Sequence, residues 1–327
     1  MIEIYLLIIS ATFSYFLTKY FIKYLKALGI TSYDVHKKIK KKIPEGGLSV
    51  VFAFIICIFI WVGYNTFISN QQIKNTGTIF AGTLTILLIT LVGFLDDLLR
   101  KTGWKKGLKK WEKPLFTTIA ALPLMVISAG VSTMNLPLIG TIDFGVFYPL
   151  VIIPTLVIGI ANAINILGGF NGLEAGMGII SFLSLFIFST INNLTLASIF
   201  SISALGALIG FFILNKYPAK IFGGDSLTYF IGGTLATIII IGNIEKFGII
   251  LLIPWIIEIT LKLRSKLKAE CFGELQEDGT IKYSGKIYSL THLVMKIGNF
   301  KEWQITLIFI ILQSLVSILA FWLTLFV

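Results

Sequence analysis

Asn162–Ala163–Ile164–Asn165–Ile166–Leu167–Gly168–Gly169–Phe170–Asn171–Gly172–Leu173–Glu174 lies between two long apolar runs. Packing alone does not ask for three asparagines, three glycines and a glutamate there. On a helix Asn162 and Asn165 are i and i+3, so their amides share one face. The glycines permit a tight turn that exposes backbone N–H groups. A buried amide without partners costs about 1–3 kcal/mol. The run is therefore either interhelical glue or a site for a polar ligand, and the glycine turn favours the ligand.

The flanking sequence sets the context. The 327-residue chain is 56% hydrophobic with a mean hydropathy of +0.91, which excludes an ordinary soluble domain. Ten apolar segments, approximately 2–22, 48–68, 78–95, 114–130, 145–163, 173–191, 195–214, 226–242, 246–262 and 304–326, approach the length that crosses a bilayer of about 30 Å. Pro149, Pro154 and Pro254 predict kinks in the fifth and ninth. The expected fold is an all-α polytopic membrane protein of about ten transmembrane helices, one catalytic domain over 1–327. A small outer β-hairpin is expected from Thr133–Leu138 and Thr141–Phe144 around Ile139–Gly140, and a partly structured last cytoplasmic loop from the turn at Asp278–Gly279.

Charge orients the chain. The loops 23–47, 96–113, 164–172, 215–225 and 262–303 hold 24 of the 27 Lys and Arg; only Lys19, Lys74 and Lys246 fall elsewhere. The positive-inside rule puts those loops in the cytoplasm and, with ten spans, both termini outside. The first segment shows no small-residue cleavage site and reads as a retained span. The net charge of +11 follows from this orientation and from contact with anionic headgroups, so no nucleic-acid partner is expected. The run Lys37, Lys38, Lys40, Lys41 and Lys42 faces headgroups on this reading. Cys57 and Cys271 form no disulfide framework, and His36 reads as a loop histidine without a nearby partner.

Polar chemistry recurs where spans meet these loops. The third segment ends in Gly93–Phe94–Leu95–Asp96–Asp97–Leu98–Leu99–Arg100. Adjacent carboxylates there are either a solvated helix end or a cation- or phosphate-facing pair, since burying them without cations costs several kcal/mol. Lys216 to Ser226 includes Phe222–Gly223–Gly224–Asp225–Ser226. Asp225 and Ser226 suit a helix cap, but a cap needs no glycine pair before it, and Phe222 offers an aromatic face. Ile43–Pro44–Glu45–Gly46–Gly47 leaves room for another chain or a flat ligand to approach its backbone. Glu258 and Lys262 are i and i+4, which reads as a structural ion pair. The long last loop carries Lys262, Arg264, Lys266 and Lys268 and could close over a substrate.

Gathered by a helix bundle, Asp96, Asp97, Asp225 and the amide oxygen of Asn165 suit a hard divalent cation, and Mg²⁺ commonly combines one or two carboxylates with substrate phosphates. No GxxxxGK[ST] loop is present. A membrane-edge site of this kind implies one soluble and one lipid substrate.

These motifs, in this order, resemble the polyprenyl-phosphate N-acetylhexosamine-1-phosphate transferases, a family that includes the phospho-MurNAc-pentapeptide translocase and the dolichyl-phosphate GlcNAc-1-phosphate transferases. The matching residues are Phe94–Asp97, Asn162–Glu174 and Phe222–Ser226, preceded by Ile43–Gly47. The resemblance implies that Asn165 and Asp225 hold Mg²⁺ (or Mn²⁺) with the diphosphate. It implies that Asp96 and Asp97 line the site beside the lipid phosphate and that Lys113 contacts phosphate. Asn171 and Phe222 would hold the uracil, Asn162 would border the substrate, and Gly46–Gly47 would touch the nucleoside. The last loop has only His292, unlike the histidine cluster of the peptidoglycan branch, and lacks the arginine-rich segment of the eukaryotic branch; Arg264 or Lys268 would substitute. The expected relative is archaeal-like.

The expected reaction moves GlcNAc-1-phosphate from UDP-GlcNAc to dolichyl or another polyprenyl phosphate and releases UMP, as in the first step of a lipid-linked oligosaccharide pathway for protein glycosylation. Another UDP-sugar, or undecaprenyl phosphate in envelope synthesis, is the alternative within this chemistry. A secondary transporter is the alternative outside it, although its polar residues would sit near the bilayer midplane. The expected setting is the plasma membrane if the source is prokaryotic, with a homodimer as the candidate assembly.

Overall fold

The computed structural model describes residues 2–37, 42–69, 75–101, 107–109, 111–136 and 140–325. Lys38, Lys40 and Lys41 of the basic run, Lys74, and Ile139 of the hairpin tip lie outside the described residues. Helices α1 (Ile2–Ala27), α2 (Leu48–Phe67), α3 (Thr76–Lys101), α4 (Glu112–Val126), α5 (Ile153–Ile164), α6 (Leu173–Ile191), α7 (Thr195–Asn215), α8 (Gly224–Gly242), α9 (Glu245–Leu251), α10 (Ile253–Leu263), α11 (Leu290–Ile297) and α12 (Glu302–Leu325) follow in order.

Every apolar segment is helical, but the count of ten crossing helices is not reproduced. Among the described residues seven helices, α1, α2, α3, α6, α7, α8 and α12, are long and apolar enough to cross a membrane. The shortfall has local causes. Helix α4 has 15 residues, about 22 Å at 1.5 Å per residue. The fifth segment opens as a π-helical turn over Tyr148–Ile152 before α5. The ninth breaks at Leu252, which ends α9 and starts α10. Pro154 and Pro254 sit in the first turn of α5 and α10, where a missing N–H costs nothing. Pro254 thus opens α10 at the break, whereas Pro154 lies where the π turn passes directly into α5.

Helix α8 is the axis of the bundle, with Leu227, Tyr229, Phe230, Ile231 and Ala236 sealed from solvent. Helix α1 lies against α7 through small residues: the Ser10 and Ser14 hydroxyls donate to the carbonyls of Ser203 and Ala207 at 2.7 and 2.6 Å. Small side chains let two backbones approach closely where no hydrophobic drive separates helix from lipid.

Strands β1 (Thr31–Tyr33) and β2 (Lys42–Pro44) pair antiparallel, Ser32 opposite Ile43. The chain then pairs with the segment that leads into α8: Phe222 N donates to Pro44 O at 2.8 Å and Gly46 N to Phe222 O at 2.9 Å. Gly47 N reaches the Ser226 hydroxyl at 2.6 Å. A Cβ on Gly47 would stand 2.7 Å from the Cα of Leu227. Of the two readings of the glycine pair, close approach of another chain is the one realised. Gly47→Val is expected to destabilise the protein by at least about 3 kcal/mol, because the clash is with backbone that cannot rotate away; a thermal-unfolding midpoint in detergent equal to wild type would contradict this.

Strands β3 (Thr133–Leu136) and β4 (Gly140–Asp143) make the expected hairpin. In the last loop β5 (Glu274–Leu275), β6 (Thr280–Lys282) and β7 (Phe300–Lys301) form a three-stranded sheet, with Asp278 and Gly279 in the turn before β6. Glu258 is fully buried and accepts from the Ser289 hydroxyl at 2.8 Å and Leu290 N at 2.7 Å, with Lys262 at 3.5 Å. The pair is structural, as its spacing predicts: it anchors α11 to α10.

Candidate active site

The site begins where α3 ends against the start of α8. Asp97 has no exposed surface. Its carboxylate accepts from the backbone N–H of Asp225 at 2.8 Å, from that of Ser226 at 3.0 Å, and from the Ser226 hydroxyl at 2.9 Å. The first turn of a helix leaves N–H donors without intrahelical partners and carries partial positive charge. Asp97 satisfies two of them from another helix. This corrects the reading of Asp225 and Ser226 as the cap: α8 starts at Gly224, and the capping carboxylate comes from α3. Gly224 has φ +64°, and a Cβ there would come 2.6 Å from Asp97 Oδ2. Close approach of α3 explains the glycine before the acid.

Asp225 is thereby held with its own carboxylate facing outward. Its Oδ1 lies 2.9 Å from Arg100 Nη2. Its Oδ2 lies 2.7 Å from Lys113 Nζ and accepts from Asn165 Nδ2 at 3.1 Å. Lys113 and Arg100 each also reach Asp96 Oδ2 at 2.9 Å, Arg100 touches Asp97 Oδ1 at 3.2 Å, and Leu108 N donates to the other Asp96 oxygen. Among the described residues, three largely buried carboxylates thus share two side-chain cations.

Residues far apart in sequence meet here: Asp96, Asp97, Lys113, Asn165 and Asp225. Asn165 closes α5, and its amide oxygen accepts from the Thr228 hydroxyl at 2.8 Å. Asn162, one turn earlier, is glue: it accepts from Tyr229 OH at 3.0 Å and donates to Ile158 O. The two asparagines share a face, and only the second reaches the acids.

Asp225 and Asn165 open onto a cavity of about 580 Å³ walled by Glu45, Gly168, Gly169, Glu174 and Phe222, and by Lys262, Cys271 and Phe272 from α10 and the last loop. The Glu174 carboxylate accepts from Gly169 N at 2.7 Å and fixes the glycine turn. Lys262 donates to Ile166 O and to Cys271 Sγ, so it stitches the last loop to this turn. Burial pushes the Cys271 thiol up, and it stays protonated.

Not every expected site residue borders this cavity. Gly46 and Gly47 pack on α8, as above. Arg264 and Lys268 are exposed beyond α10 and are not among the wall residues. Asn171 is buried behind Phe170: its N–H donates to Glu302 Oε1 at 2.9 Å, its amide to Asp34 Oδ2 at 3.3 Å, and its carbonyl accepts from Thr306. Asn171, expected to hold a uracil, is not among the wall residues of this cavity; its N–H, amide nitrogen and carbonyl join the first loop to α12. Missed by sequence reasoning were Arg100, whose i+3 and i+4 spacing from Asp97 and Asp96 was a usable signal, and Thr228, one turn beyond Asp225. Phe272 carried no local signal.

His36 sits outside this cavity, stacked on Phe170 at a centroid distance of 4.8 Å and edge-on to Phe272 at 5.5 Å. Burial lowers it to about 4 against the opposing pull of Asp34, so it is neutral at physiological pH. His292, the lone histidine of the last loop, stacks on Tyr283 at 3.7 Å and accepts from Tyr288 N.

A polytopic membrane protein with acids, amides and cations gathered at its span ends is the class this architecture defines. The chain belongs to glycosyl transferase family 4, whose model matches residues 79–243. It is 35% identical over 96% of its length, and 94% of the relative's, to a protein of Saccharolobus solfataricus provisionally named UDP-N-acetylglucosamine–dolichyl-phosphate N-acetylglucosaminephosphotransferase. A Sulfolobus acidocaldarius protein of the same name is 34% identical over 93% of this chain and 90% of its own. The phospho-N-acetylmuramoyl-pentapeptide-transferase of Latilactobacillus sakei is 30% identical over 84% of this chain and 83% of its own.

Proposed function

We propose that the protein transfers GlcNAc-1-phosphate from UDP-GlcNAc to a dolichyl-type polyprenyl phosphate, forming a lipid-linked sugar diphosphate and releasing UMP. The observation that carries this is the meeting of Asp225 with Asp96, Asn165, Lys113 and Arg100 at the mouth of a polar cavity. That two archaeal relatives, 35% and 34% identical, carry this activity in their names supports it. The asymmetry of Lys and Arg favours a cytoplasmic site with both termini outside.

A divalent cation fits the donor set. Asp225 and Asn165 would hold it, with Asp96 beside them: all are oxygen donors, which suits Mg²⁺, with Mn²⁺ as a substitute. Asn165 turns its Nδ2 to Asp225 and its oxygen to Thr228; the Thr228 hydroxyl both donates and accepts, so with the amide turned over Nδ2 would donate to Thr228 and the oxygen would be offered beside Asp225 to a cation. Mg²⁺, when bound, supplies charge neutralisation at the diphosphate.

The chain's own contribution is positioning and charge. Phosphoryl transfer needs little covalent participation from a protein. A lipid phosphate oxygen forms a bond to the β-phosphorus, the bond from that phosphorus to the bridging oxygen breaks, and the electron pair leaves with UMP. A phosphomonoester with a second pKa of about 6 is already largely dianionic near neutrality, so no strong general base is required. Lys113 and Arg100 put positive charge where phosphate oxygens arrive. Phe222 offers a face for the base, and Phe272 closes the cavity. The decisive assay is UMP release by purified protein from a panel of UDP-sugars with polyprenyl phosphate. Release requiring both UDP-GlcNAc and lipid is expected; no release from any UDP-sugar would overturn the proposal.

A further inference from the structure

The first loop, the glycine turn and α12 meet at a second polar cluster. Asp34, His36 and Glu302 are 3%, 4% and 4% exposed. One ligand atom from each lies within 4.8 Å of the others. Neither ring nitrogen of His36 has a hydrogen-bond partner. A buried imidazole with both nitrogens unused carries a desolvation cost, and an orphaned ring nitrogen within 4.8 Å of two buried carboxylates asks for a ligand.

We propose that Asp34, His36 and Glu302 bind a divalent transition metal of the zinc class, at a cluster distinct from that of Asp225, although Asp34 also borders the cavity onto which Asp225 opens. The chemistry distinguishes the two. The Asp225 cluster offers oxygen alone. This one offers an imidazole nitrogen with two carboxylates, a donor set that suits Zn²⁺ in preference to Mg²⁺. Tetrahedral ligands at about 2.0–2.2 Å from the metal stand roughly 3.3–3.6 Å apart, so the present spread needs closure by little more than 1 Å.

A cation already marks the place. Lys37 Nζ lies 3.3 Å from Glu302 Oε2 and 3.9 Å from Asp34 Oδ2. The second distance is beyond a hydrogen bond, so one ammonium serves two buried carboxylates incompletely. Lys37 is 24% exposed and its Nζ also lies 3.6 Å from the Tyr217 ring centroid, so it can withdraw outward and exchange one cation for another. Asn171 holds Glu302 Oε1 through its N–H and shares Asp34 Oδ2 with Lys37 through its amide, while Asp34 Oδ1 accepts from the backbone N–H of His36 at 3.2 Å. Such outer hydrogen bonds orient metal ligands elsewhere. A metal here would fasten the first loop to the start of α12 and set the Phe170–Phe272 wall, since His36 stacks on Phe170 and meets Phe272 edge-on. This role does not depend on the proposed reaction.

The test uses the full-length protein in detergent. After chelator washing, it is equilibrated with Zn²⁺ in excess Mg²⁺, desalted, and its metal content measured. About one Zn²⁺ per chain is expected, lost in His36→Gln and kept in Asp225→Asn. Loss of a direct ligand should exceed the ~10–100-fold weakening seen for outer-shell changes. X-ray absorption at the zinc edge of the wild-type protein keeps the test independent of variant folding: one nitrogen and oxygen ligands at about 2.0–2.2 Å are expected. No retained Zn²⁺ in the wild type, retention unchanged in His36→Gln, or an all-oxygen edge spectrum would each overturn the proposal.

Discussion

Asp225→Asn is expected to lower turnover by at least ~10³-fold while the protein stays folded. The wild-type carboxylate answers Arg100 at 2.9 Å, Lys113 at 2.7 Å and the Asn165 amide at 3.1 Å. An isosteric amide keeps the shape and removes the charge. Stability should survive because, among the described residues, Asp96 and Asp97 remain as two carboxylates for two cations, Asp96 touching both Lys113 and Arg100 at 2.9 Å. Leaving an unpaired buried charge would cost about 3–5 kcal/mol, and this substitution leaves none. Catalysis has no such reserve. Losing one preorganised electrostatic partner of the transition state costs about 10²–10³, and here the lost group is also the proposed cation ligand. Two measurements check this: UMP release at saturating substrates, and the Mg²⁺ concentration for half-maximal rate, which should rise. An unchanged Mg²⁺ titration would remove Asp225 from the ligand set. An unfolded variant would show that the balance of charge was misjudged.

Much of this site was legible before any coordinates, and the legible part has a common cause. Asp96, Asp97, Asn165 and Asp225 are expensive at the end of an apolar run, and expense without local relief points to long-range partners. The glycines at 223 and 224 gave the same warning. The unreadable part depends on contacts that leave no local trace. Asn162 and Asn165 have the same helical phase, yet Tyr229 takes the first and Asp225 the second. Asn171 looks like a ligand residue in its motif, but its partner Glu302 lies 131 residues away. The Gly46–Gly47 pair signalled close approach correctly and left the approaching object open. Helices were readable as apolar runs. Their internal breaks were not, because a proline that opens a new helix and one inside a continuing helix look alike in sequence.

Asp97 is where the geometry revises the chemistry most, and its variants carry the second large effect. A residue meant to accept a proton needs a lone pair facing substrate. Asp97 is sealed, and four donors approach it: the N–H groups of Asp225 and Ser226, the Ser226 hydroxyl, and Arg100. It positions Asp225 by fixing the first turn of α8. Asp97→Ala would strand two buried N–H groups at about 1–3 kcal/mol each, beyond the loss of the Arg100 contact, so a destabilisation of roughly 3–5 kcal/mol is expected. Asp97→Asn keeps one acceptor oxygen and turns an NH₂ toward donors. It should fold, with turnover reduced roughly 10²-fold or more as Asp225 and Arg100 shift. The pH profile separates positioning from proton transfer. If Asp97 acts through Asp225, the kcat of Asp97→Asn is depressed by the same factor at every pH. If it were a base, the variant would approach wild-type turnover at pH 8, where the lipid phosphate is already ionised, and fail only in acid. The parallel, uniformly lowered profile is the expected result, because nothing in the contacts of Asp97 leaves an oxygen free to take a proton.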